Sequence, residues 1–362
     1  MGEGRGGGAV GFRDPAATRR EFLSKQGAAA VVSALGLNAP GAPEAPAQSE
    51  LVLTSRAAMA CRFEVMLPDP ASVTAAGDAL AIIDSLEQQM SVFRPGSELC
   101  EINRRACDGP VPVEEGLFSL LETCARLWAG TRGAFDAAQG ALSALWRSCR
   151  KEARVPSAAE IEAATRAGGM QHVVLDPARK TVRLTCPGAA LDLGAIGKGY
   201  AVDRICQRLR AHGVHAALVH AGHSSIFAMG RPAPGQDWLV AIGNPAGGEA
   251  PIAQVRLRDQ AMATSGSSEQ VFRIDGKEYG HIIDPRTGWP AQGILSATAI
   301  APTAAEADAL STSFYVMGLE QAAAYCERHP QVAALVVCQD EQSGQLRVAN
   351  LGIRGDALEV LA

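Results

Sequence analysis

The sequence has no Cys-x-x-Cys pair among its nine cysteines, so neither a zinc ribbon nor a thioredoxin-like motif is indicated. The odd number of cysteines also argues against a disulfide framework. Its one apolar stretch, near the N-terminus, is too short for an ordinary membrane span. With 33 basic and 38 acidic residues the net charge is −5, which leaves no strongly basic surface for nucleic acid. The 47% hydrophobic and 20% charged residues fit a globular protein with a sizeable core.

The common nucleotide and hydrolase motifs are also missing. Residues 194–199 read Gly-Ala-Ile-Gly-Lys-Gly, but a Walker loop needs glycine where Asp192 stands and Ser or Thr where Gly199 stands. No Gly-x-Gly-x-x-Gly follows a predicted strand, and neither His-Glu-x-x-His nor Gly-x-Ser-x-Gly occurs. His220 and His223 form a His-x-x-His pair, which without further ligands indicates a metal only weakly.

The first 47 residues have the order of an export signal. The pair Arg19-Arg20 precedes an apolar run over 27–37, and residues 39–49 are rich in proline and alanine. This order resembles a Tat signal with cleavage near residues 45–47; the alternative is a chance Arg-Arg before an alanine-rich helix. We expect residues 1–47 to be signal and linker. The mature chain, without a stable membrane span, would lie in the periplasm or on the outer face of the cytoplasmic membrane.

The rest of the chain, 48–362, is expected to form one domain. Helical periodicity or a capping box predicts helices over 73–90, 114–129, from Ser157 to near Gly168, and 199–211. Short β-rich runs are found at 172–175, 181–185, 216–219, 238–242, 252–257, 270–274, 279–283, 294–300 and 333–338. Asp275 and Gly276, between two of them, are typical of a hairpin turn. Hairpins mixed with helices favour an α+β fold with largely antiparallel sheets and packed helices.

The segment after Thr303 indicates a metal site. Thr303 and Glu306 form a capping box, so a helix is predicted from residue 304 to about Met317. Asp308 and Thr312 then lie ~40° apart on one face of this helix. A carboxylate and a hydroxyl are hard oxygen ligands that Mg²⁺ accepts beside waters and phosphates. The alternative is that Asp308 bonds locally and Thr312 bonds back to its own helix.

The glycine-rich segment around Lys198 favours an anion. Its glycines let the backbone approach a ligand closely, and it leads directly into a predicted helix whose N-terminal amides attract negative charge. Lys198 adds a full positive charge there. The alternative is a tight strand-to-helix turn with a solvated lysine.

A third candidate lies in the segment 279–290. Its Asp-Pro-Arg-Thr-Gly stretch is turn chemistry, but a turn does not need His281 and Asp284 three residues apart beside Arg286. These residues could supply a general base, the carboxylate that orients it and a clamp for an anion. A structural histidine in a hairpin is the alternative.

Taken together, these segments resemble the ApbE family of FAD:protein FMN transferases. The resemblance runs from Met59 to about Gly318, in the family's order. The matching stretches are 91–99 with 102–103, 133–136, 191–203, 263–266, 281–288 and 301–310. The resemblance implies an ApbE-like flavin transferase fold and Mg²⁺-dependent transfer of FMN from FAD to a Thr or Ser hydroxyl of an exported acceptor protein, with AMP released. An electron-transfer subunit is the acceptor that it implies.

The resemblance also assigns roles to single residues. Asp308 and Thr312 would hold Mg²⁺ through side-chain oxygens, and Ala195 through its backbone carbonyl. His281 would act as the base for the acceptor hydroxyl, oriented by Asp284. The FAD site would be lined by Met59, Phe93, Ala134, Phe135, Asp136, Asp192, Lys198 and a backbone contact near Ile282.

The chain departs from the family pattern at several positions. Residues 60–61 are Ala-Cys where the family commonly has Gly-Thr, and Phe93 stands where it commonly has Tyr. The segment 220–224 reads His-Ala-Gly-His-Ser in place of Asn-Leu-Gly-Gly-Asp, and 194–198 reads Gly-Ala-Ile-Gly-Lys in place of Gly-Gly-Ile-Ala-Lys, a mild change. Two alternatives to the transferase therefore stay open: a metal-dependent FAD pyrophosphatase, and a flavin-binding protein without turnover.

Overall fold

The computed structural model describes residues 51–248, 250–266, 271–274, 276–340 and 344–361. The expected export signal, residues 1–47, lies outside these described residues. Within them, no helix is both long enough and apolar enough to cross a membrane.

The described residues build one large antiparallel sheet. Its eight strands are ordered β1-β2-β6-β7-β10-β13-β14-β15. They are β1 (Val52–Ala58), β2 (Cys61–Leu67), β6 (Ala217–Ala221), β7 (Ser225–Met229), β10 (Gln260–Gly266), β13 (Ile294–Ala301), β14 (Ala333–Gln339) and β15 (Leu346–Leu351). Each neighbouring pair is antiparallel.

Three smaller sheets accompany it. They are formed by β3 (Val111–Pro112), β5 (Thr181–Leu184) and β4 (Val173–Asp176); by β16 (Leu358–Val360), β9 (Ala253–Leu257) and β8 (Trp238–Ile242); and by the hairpin β11 (Phe272–Ile274) and β12 (Lys277–Tyr279). The α-helices among the described residues are α1 (Val73–Ala81), α2 (Ile83–Met90), α3 (Glu98–Arg105), α4 (Glu115–Gly130), α5 (Gly140–Lys151), α6 (Ala158–Ala167), α7 (Gly197–Ala211) and α8 (Ala304–Arg328).

The central strands of the large sheet are buried on both faces. Along β2 and β14 successive side chains point to opposite faces, as the period of a strand requires. Val65 and Val336 join the main core with the helices, whereas Met66 and Leu335 join a second core with β8 and β9. This burial on both sides explains the nearly continuous apolar runs in these strands.

The α+β prediction is confirmed, with differences in detail. Ile82 separates the predicted helix 73–90 into α1 and α2. The Ser157–Glu160 capping box is present, and the hairpin at Gly276 joins β11 and β12. The predicted strand 279–283 is wrong, because β12 ends at Tyr279 and only Ile283 forms an isolated bridge. Strands β1, β2, β3, β7, β10, β15 and β16 and helices α3 and α5 were not predicted.

Candidate functional site

Helix α8 begins where the sequence predicts and carries the candidate metal ligands. The Thr303 hydroxyl accepts a hydrogen bond from the Glu306 amide at 3.2 Å. The Glu306 carboxylate, however, pairs with Arg126 of α4 at 3.1 Å. This ion pair replaces the hydrogen bond from the Thr303 amide that a capping box would have. Gly318 (φ 77°, ψ 176°) interrupts the helix near the predicted end, and a second helical segment continues to Arg328.

Asp308 is an almost fully buried carboxylate, with 6% of its surface exposed. Its Oδ2 accepts a hydrogen bond from the Gly199 amide at 3.0 Å, and its Oδ1 accepts one from the Ser225 hydroxyl at 2.9 Å. Burial raises the pKa of Asp308, and the positive charge of Lys198 opposes this shift. The carboxylate therefore joins α8, α7 and β7 at one point.

Thr312 lies one turn further along α8. Its hydroxyl donates to the Asp308 carbonyl at 3.3 Å, so the back-bonding expected as an alternative is present. Its Oγ1 also lies 3.1 Å from the hydroxyl oxygen of Ser265, which in turn lies 3.0 Å from that of Ser311. A hydroxyl oxygen has two lone pairs, so donating its proton leaves Thr312 able to act as a ligand.

The donor set around Asp308 fits a hard divalent cation. A carboxylate and hydroxyl oxygens suit Mg²⁺, which keeps several waters and usually takes only one or two protein carboxylates. The described residues contain no cluster of three or more His, Cys, Asp or Glu that could hold a metal, as a softer ion would need. None of their ion pairs within 4.0 Å includes Asp308, so its buried charge would gain from a cation. Ala195 lies in the turn that leads into α7.

Helices α7 and α8 cap each other. The Asp203 carboxylate on α7 accepts hydrogen bonds from the Ala304 and Ala305 amides at 2.8 Å each. In return Asp308 on α8 accepts the Gly199 amide of α7. Since the first amides of a helix lack partners within it, each carboxylate satisfies the other helix's N-terminus. This reciprocal contact fixes Asp308 relative to the glycine-rich segment.

The close approach of α7 and α8 gives a matched pair of glycine substitutions. A Cβ at Gly199 would lie 2.0 Å from the Ala304 carbonyl oxygen, whereas at Gly197 the nearest atom, Leu193 Cβ, is 4.0 Å away. We expect Gly199→Ala to lower the free energy of unfolding by ~1–3 kcal/mol because the helices must separate. Gly197→Ala should be tolerated. Denaturant titration of both variants checks this, and equal stability would contradict the packing described.

Lys198 is held inside the site. Its ammonium donates to the Ser224 hydroxyl, and its charge acts on Asp308. Lys198 is therefore half-buried and hydrogen-bonded, unlike the freely solvated lysine considered as the alternative. With the N-terminus of α7 beside it, Lys198 forms an electropositive corner suited to an anionic group. Ser224 lies in the turn between β6 and β7, and Ser225 is the first residue of β7.

Phe93 and Asp192 come together through a residue that the motifs did not single out. Arg147 on α5 places Nη1 2.8 Å from Oδ2 of Asp192, and its guanidinium carbon lies 5.2 Å from the centre of the Phe93 ring. Phe93 is 74% exposed. Asp192 Oδ1 accepts from the Gly194 amide at 2.9 Å, so the same carboxylate shapes the turn toward α7.

Asp136 lines a cavity of about 280 Å³ together with Gln139, Thr165 and Arg286. Burial raises the pKa of Asp136 to about 6, although its Oδ1 accepts the Ala138 amide at 2.7 Å. Gln139 Oε1 and Thr165 Oγ1 are buried and have no hydrogen-bond partner among the described residues. A buried carboxylate with a raised pKa beside unpartnered polar atoms in a cavity makes this a candidate ligand site.

The raised pKa of Asp136 gives a prediction for stability against pH. The folded pKa of about 6 exceeds the ordinary value of 3.8, so folded protein binds the extra proton and loses stability as pH rises from about 4 to 6. The full effect would be roughly 3 kcal/mol. Asp136→Asn should therefore be more stable than the parent at pH 7 and lose less stability over this range, as measured by denaturant titration. The control is the exposed Asp108→Asn, and equal pH profiles for Asp136→Asn and parent would contradict the shift.

Asp284 forms an ion pair with Arg286. Both its oxygens accept hydrogen bonds from Arg286, at 2.9 Å to Nε and 2.9 Å to Nη2, and this pairing raises the pKa of Arg286. Asp284 thus holds a guanidinium that lines the cavity beside Asp136. The exposed His281 and the buried Ile282 precede it in the same turn, whose backbone is closed by the Asp284 amide donating to the Trp289 carbonyl at 2.8 Å. Orientation of His281 by Asp284 stays a prediction.

The remaining predicted residues lie around these groups. Met59 sits in the β1–β2 turn at φ 49°, and its amide donates to Glu87, which also pairs with Arg94 next to Phe93. Ala134 and Phe135 are buried just before Asp136, and the Phe135 amide donates to Thr131.

The segment 220–224 forms the turn between β6 and β7. Gly222 and His223 both have positive φ, 57° and 63°, so a histidine occupies a conformation that favours glycine. His220 Nε2 lies 3.0 Å from Glu64 Oε2, and this contact lowers the pKa of Glu64. The two histidine rings stack with centroids 5.0 Å apart. The described residues contain no group of three or more His, Cys, Asp or Glu arranged to hold a metal ion, here or elsewhere.

The fold and the site define a class of protein: an α+β domain in which a helix N-terminus, a lysine and a buried carboxylate come together. The chain belongs to the ApbE family, whose model matches residues 59–336. It is 38% identical over 299 residues to the FAD:protein FMN transferase of Treponema pallidum, covering 78% of this chain and 82% of that protein.

Solved structures agree with this family. The ApbE protein of Thermotoga maritima superposes with a TM-score of 0.75 at 30% identity, covering 83% of this chain and 97% of that one. The apo form of the flavinyl transferase ApbE of Pseudomonas stutzeri gives a TM-score of 0.72 at 28% identity, covering 85% and 99%. The ApbE-like fold expected from the sequence is confirmed.

Proposed function

We propose that this chain transfers FMN from FAD to a Thr or Ser hydroxyl of an exported acceptor protein, in a Mg²⁺-dependent reaction that releases AMP. The transfer of FMN from FAD to a protein follows from its family and from the names of its curated relatives. The observation that supports the proposed chemistry is the buried Asp308 carboxylate, which faces Lys198 at the junction of α7 and α8.

Lys198 and the N-terminal amides of α7 bind the diphosphate of FAD in this proposal. Asp308 and Thr312 would hold Mg²⁺ through side-chain oxygens and Ala195 through its carbonyl. When bound, Mg²⁺ supplies positive charge that stabilises a diphosphate and its leaving group. The reciprocal contact of α7 and α8 keeps the carboxylate and the lysine preorganised, so little reorganisation is needed during the reaction.

The rest of FAD would bind along the surface next to Lys198 and the N-terminus of α7. Phe93 offers an exposed ring for stacking, and Asp192 shapes the turn that precedes Ala195. The cavity at Asp136 offers unpartnered polar atoms that a ligand would satisfy. The proposed FAD-lining residues remain Met59, Phe93, Ala134, Phe135, Asp136, Asp192, Lys198 and Ile282.

His281 would remove the proton of the acceptor hydroxyl. The hydroxyl oxygen then attacks the FMN phosphorus, a new P–O bond forms, and the bond to the AMP phosphate breaks, so that AMP leaves with the electron pair. Arg286, held by Asp284, follows His281 in the same segment and would add positive charge there. Positioning and electrostatics account for most of such catalysis.

One incubation separates this function from its two alternatives. The mature protein is mixed with FAD and Mg²⁺, with and without a candidate acceptor, and AMP is quantified alongside the intact mass of the acceptor. AMP released only with acceptor, together with a mass gain equal to one FMN, is the expected result. AMP released equally without acceptor would indicate a pyrophosphatase, and intact FAD retained on the protein would indicate a carrier.

The location and partner belong to the same proposal. The twin-arginine segment supports export by the Tat route to the periplasm or the outer face of the cytoplasmic membrane. An exported electron-transfer subunit with a Thr or Ser flavinylation motif would then be the acceptor. Replacing Arg19 and Arg20 by lysine should leave the protein in the cytoplasmic fraction, and unchanged export would contradict the signal.

A further inference from the structure

Arg147 contacts two residues of the proposed FAD site at once. Its guanidinium donates to the Asp192 carboxylate at 2.8 Å and covers the Phe93 ring at 5.2 Å. Arg147 is 38% exposed along its side chain, whereas Asp192 is 11% exposed. A half-buried, planar cation that bridges a carboxylate and an aromatic ring loses little freedom when a ligand arrives.

The backbone fixes where Arg147 points. The Gly140 amide, at the start of α5, donates to the Ala190 carbonyl at 2.8 Å, and a Cβ at Gly140 would lie 2.6 Å from that oxygen. The Asp192 amide donates to the Ala137 carbonyl at 2.7 Å, just before the same helix. Helix α5 is therefore pressed against the segment that leads to Asp192, and Arg147, two turns along α5, reaches back to it.

The Phe93 ring is in contact with the Arg147 guanidinium. With no hydroxyl, this ring has no hydrogen bond to hold it, and 74% of the residue is exposed. Arg147 covers one face of the ring by a cation–π contact, which leaves the other face to a flat ligand. Asp192, engaged by Arg147 and the Gly194 amide, anchors this arrangement to the turn before α7.

We infer that Arg147 is a positioning residue for FAD, which holds the Phe93 ring and the Asp192 turn in the arrangement that receives the flavin ring system. This inference rests on the proposed function, because it needs FAD to bind beside Phe93. Arg147 acts on binding and not on the phosphorus, so its loss should weaken affinity while turnover at saturating FAD stays close to the parent's.

The test measures FAD binding directly. Quenching of flavin fluorescence is titrated for the parent, Arg147→Ala, Arg147→Lys and the control Lys151→Ala, which removes an exposed positive charge from the same helix. We expect roughly ten-fold weaker binding for Arg147→Ala. Arg147→Lys should be intermediate because it keeps the charge but loses the planar fork, and Lys151→Ala should bind like the parent. Transfer kinetics should show a raised KM for FAD with kcat within about two-fold.

A double-substitution cycle separates positioning from a general structural role. If Arg147 acts through the ring, Arg147→Ala should weaken binding much less in a Phe93→Ala background than in the parent. Equal effects in both backgrounds, or parent-like affinity of Arg147→Ala, would overturn the inference while leaving the transferase intact. Failure of the parent to bind FAD would overturn the proposed function and this inference together. Should Arg147→Ala not fold, Arg147→Lys takes its place in the same cycle, with the same two outcomes.

Discussion

Replacing Asp308 by alanine is expected to lower FMN transfer by at least ~10²–10³-fold, the usual loss for one preorganised electrostatic group. Asp308 is buried, accepts hydrogen bonds from Gly199 and Ser225, and lies within the field of Lys198. Its loss removes the one carboxylate among the proposed metal ligands. The measurement is AMP release at a fixed acceptor concentration over a Mg²⁺ titration, where the residual activity should need far more Mg²⁺ than the parent.

Stability must be separated from chemistry in this variant. Asp308→Ala leaves the Gly199 amide and the Ser225 hydroxyl without their partner, which costs about 1–3 kcal/mol for each buried group. Asp308→Asn keeps an acceptor oxygen at the same place but loses the charge, so it should be more stable than the alanine variant and still nearly inactive. Glu306→Ala, on the same helix and paired at the surface with Arg126, is the matched control. Near-parent turnover of Asp308→Ala at limiting Mg²⁺ would refute the assignment.

Replacing His281 by alanine is expected to lower transfer to the acceptor by ~10²–10⁴-fold, the range for a general base. FAD binding should change little, because His281 is proposed to act on the acceptor hydroxyl and not on the flavin. The exposed His212→Ala, at the end of α7, is the control and should retain parent activity. The measurement is the rate at which the acceptor gains the mass of FMN.

The pH profile sharpens the test of His281. A neutral imidazole is needed for proton removal, so transfer by the parent should rise with pH until the imidazole of His281 is deprotonated. The residual transfer rate of His281→Ala should not show this rise and should instead increase with the hydroxide concentration. If His281→Ala transfers FMN like the parent and its rate still rises with pH in the same way, another residue is the base. If His281→Ala loses FAD binding, His281 has a role in the flavin site.

Local signals in the sequence predicted the elements that carry the chemistry. The start of α8 depends on Thr303, a cap that is read from neighbouring residues, and its helical period places Asp308 and Thr312 on one face. The capping box at Ser157 and the hairpin at Gly276 are local in the same way. Such features depend on residues within one or two turns, so a single sequence contains them.

Long-range partners could not be predicted in this way. Ser225 lies 83 residues from Asp308, and Arg147 lies 45 residues from Asp192, so neither pairing follows from spacing. Asp203 could have been noticed only as a carboxylate on the face of α7, since its partners are the first amides of α8. Glu306 illustrates the converse, because its tertiary contact with Arg126 replaces the local partner that the sequence predicted.

The strands show the same limit. Strands buried on both faces lose the alternation that marks a strand, and β7 (Ser-Ile-Phe-Ala-Met) is buried at every position. Strand β1 is largely exposed at one edge of the large sheet, where mixed polar and apolar residues give little signal. The alternation of apolar and polar residues is therefore clear in neither strand. Strand β14 was predicted from its β-branched residues.

The central claim is that Asp308 and Thr312 hold a divalent cation against the diphosphate of FAD. Crystals of the parent grown with FAD and Mn²⁺ in place of Mg²⁺ test it most directly, because the anomalous signal of Mn²⁺ locates the ion. The account predicts one strong peak in contact with the Asp308 carboxylate, the Thr312 hydroxyl and the FAD diphosphate, which is lost in Asp308→Ala. A peak elsewhere, or FAD bound with its diphosphate away from α8, would contradict it.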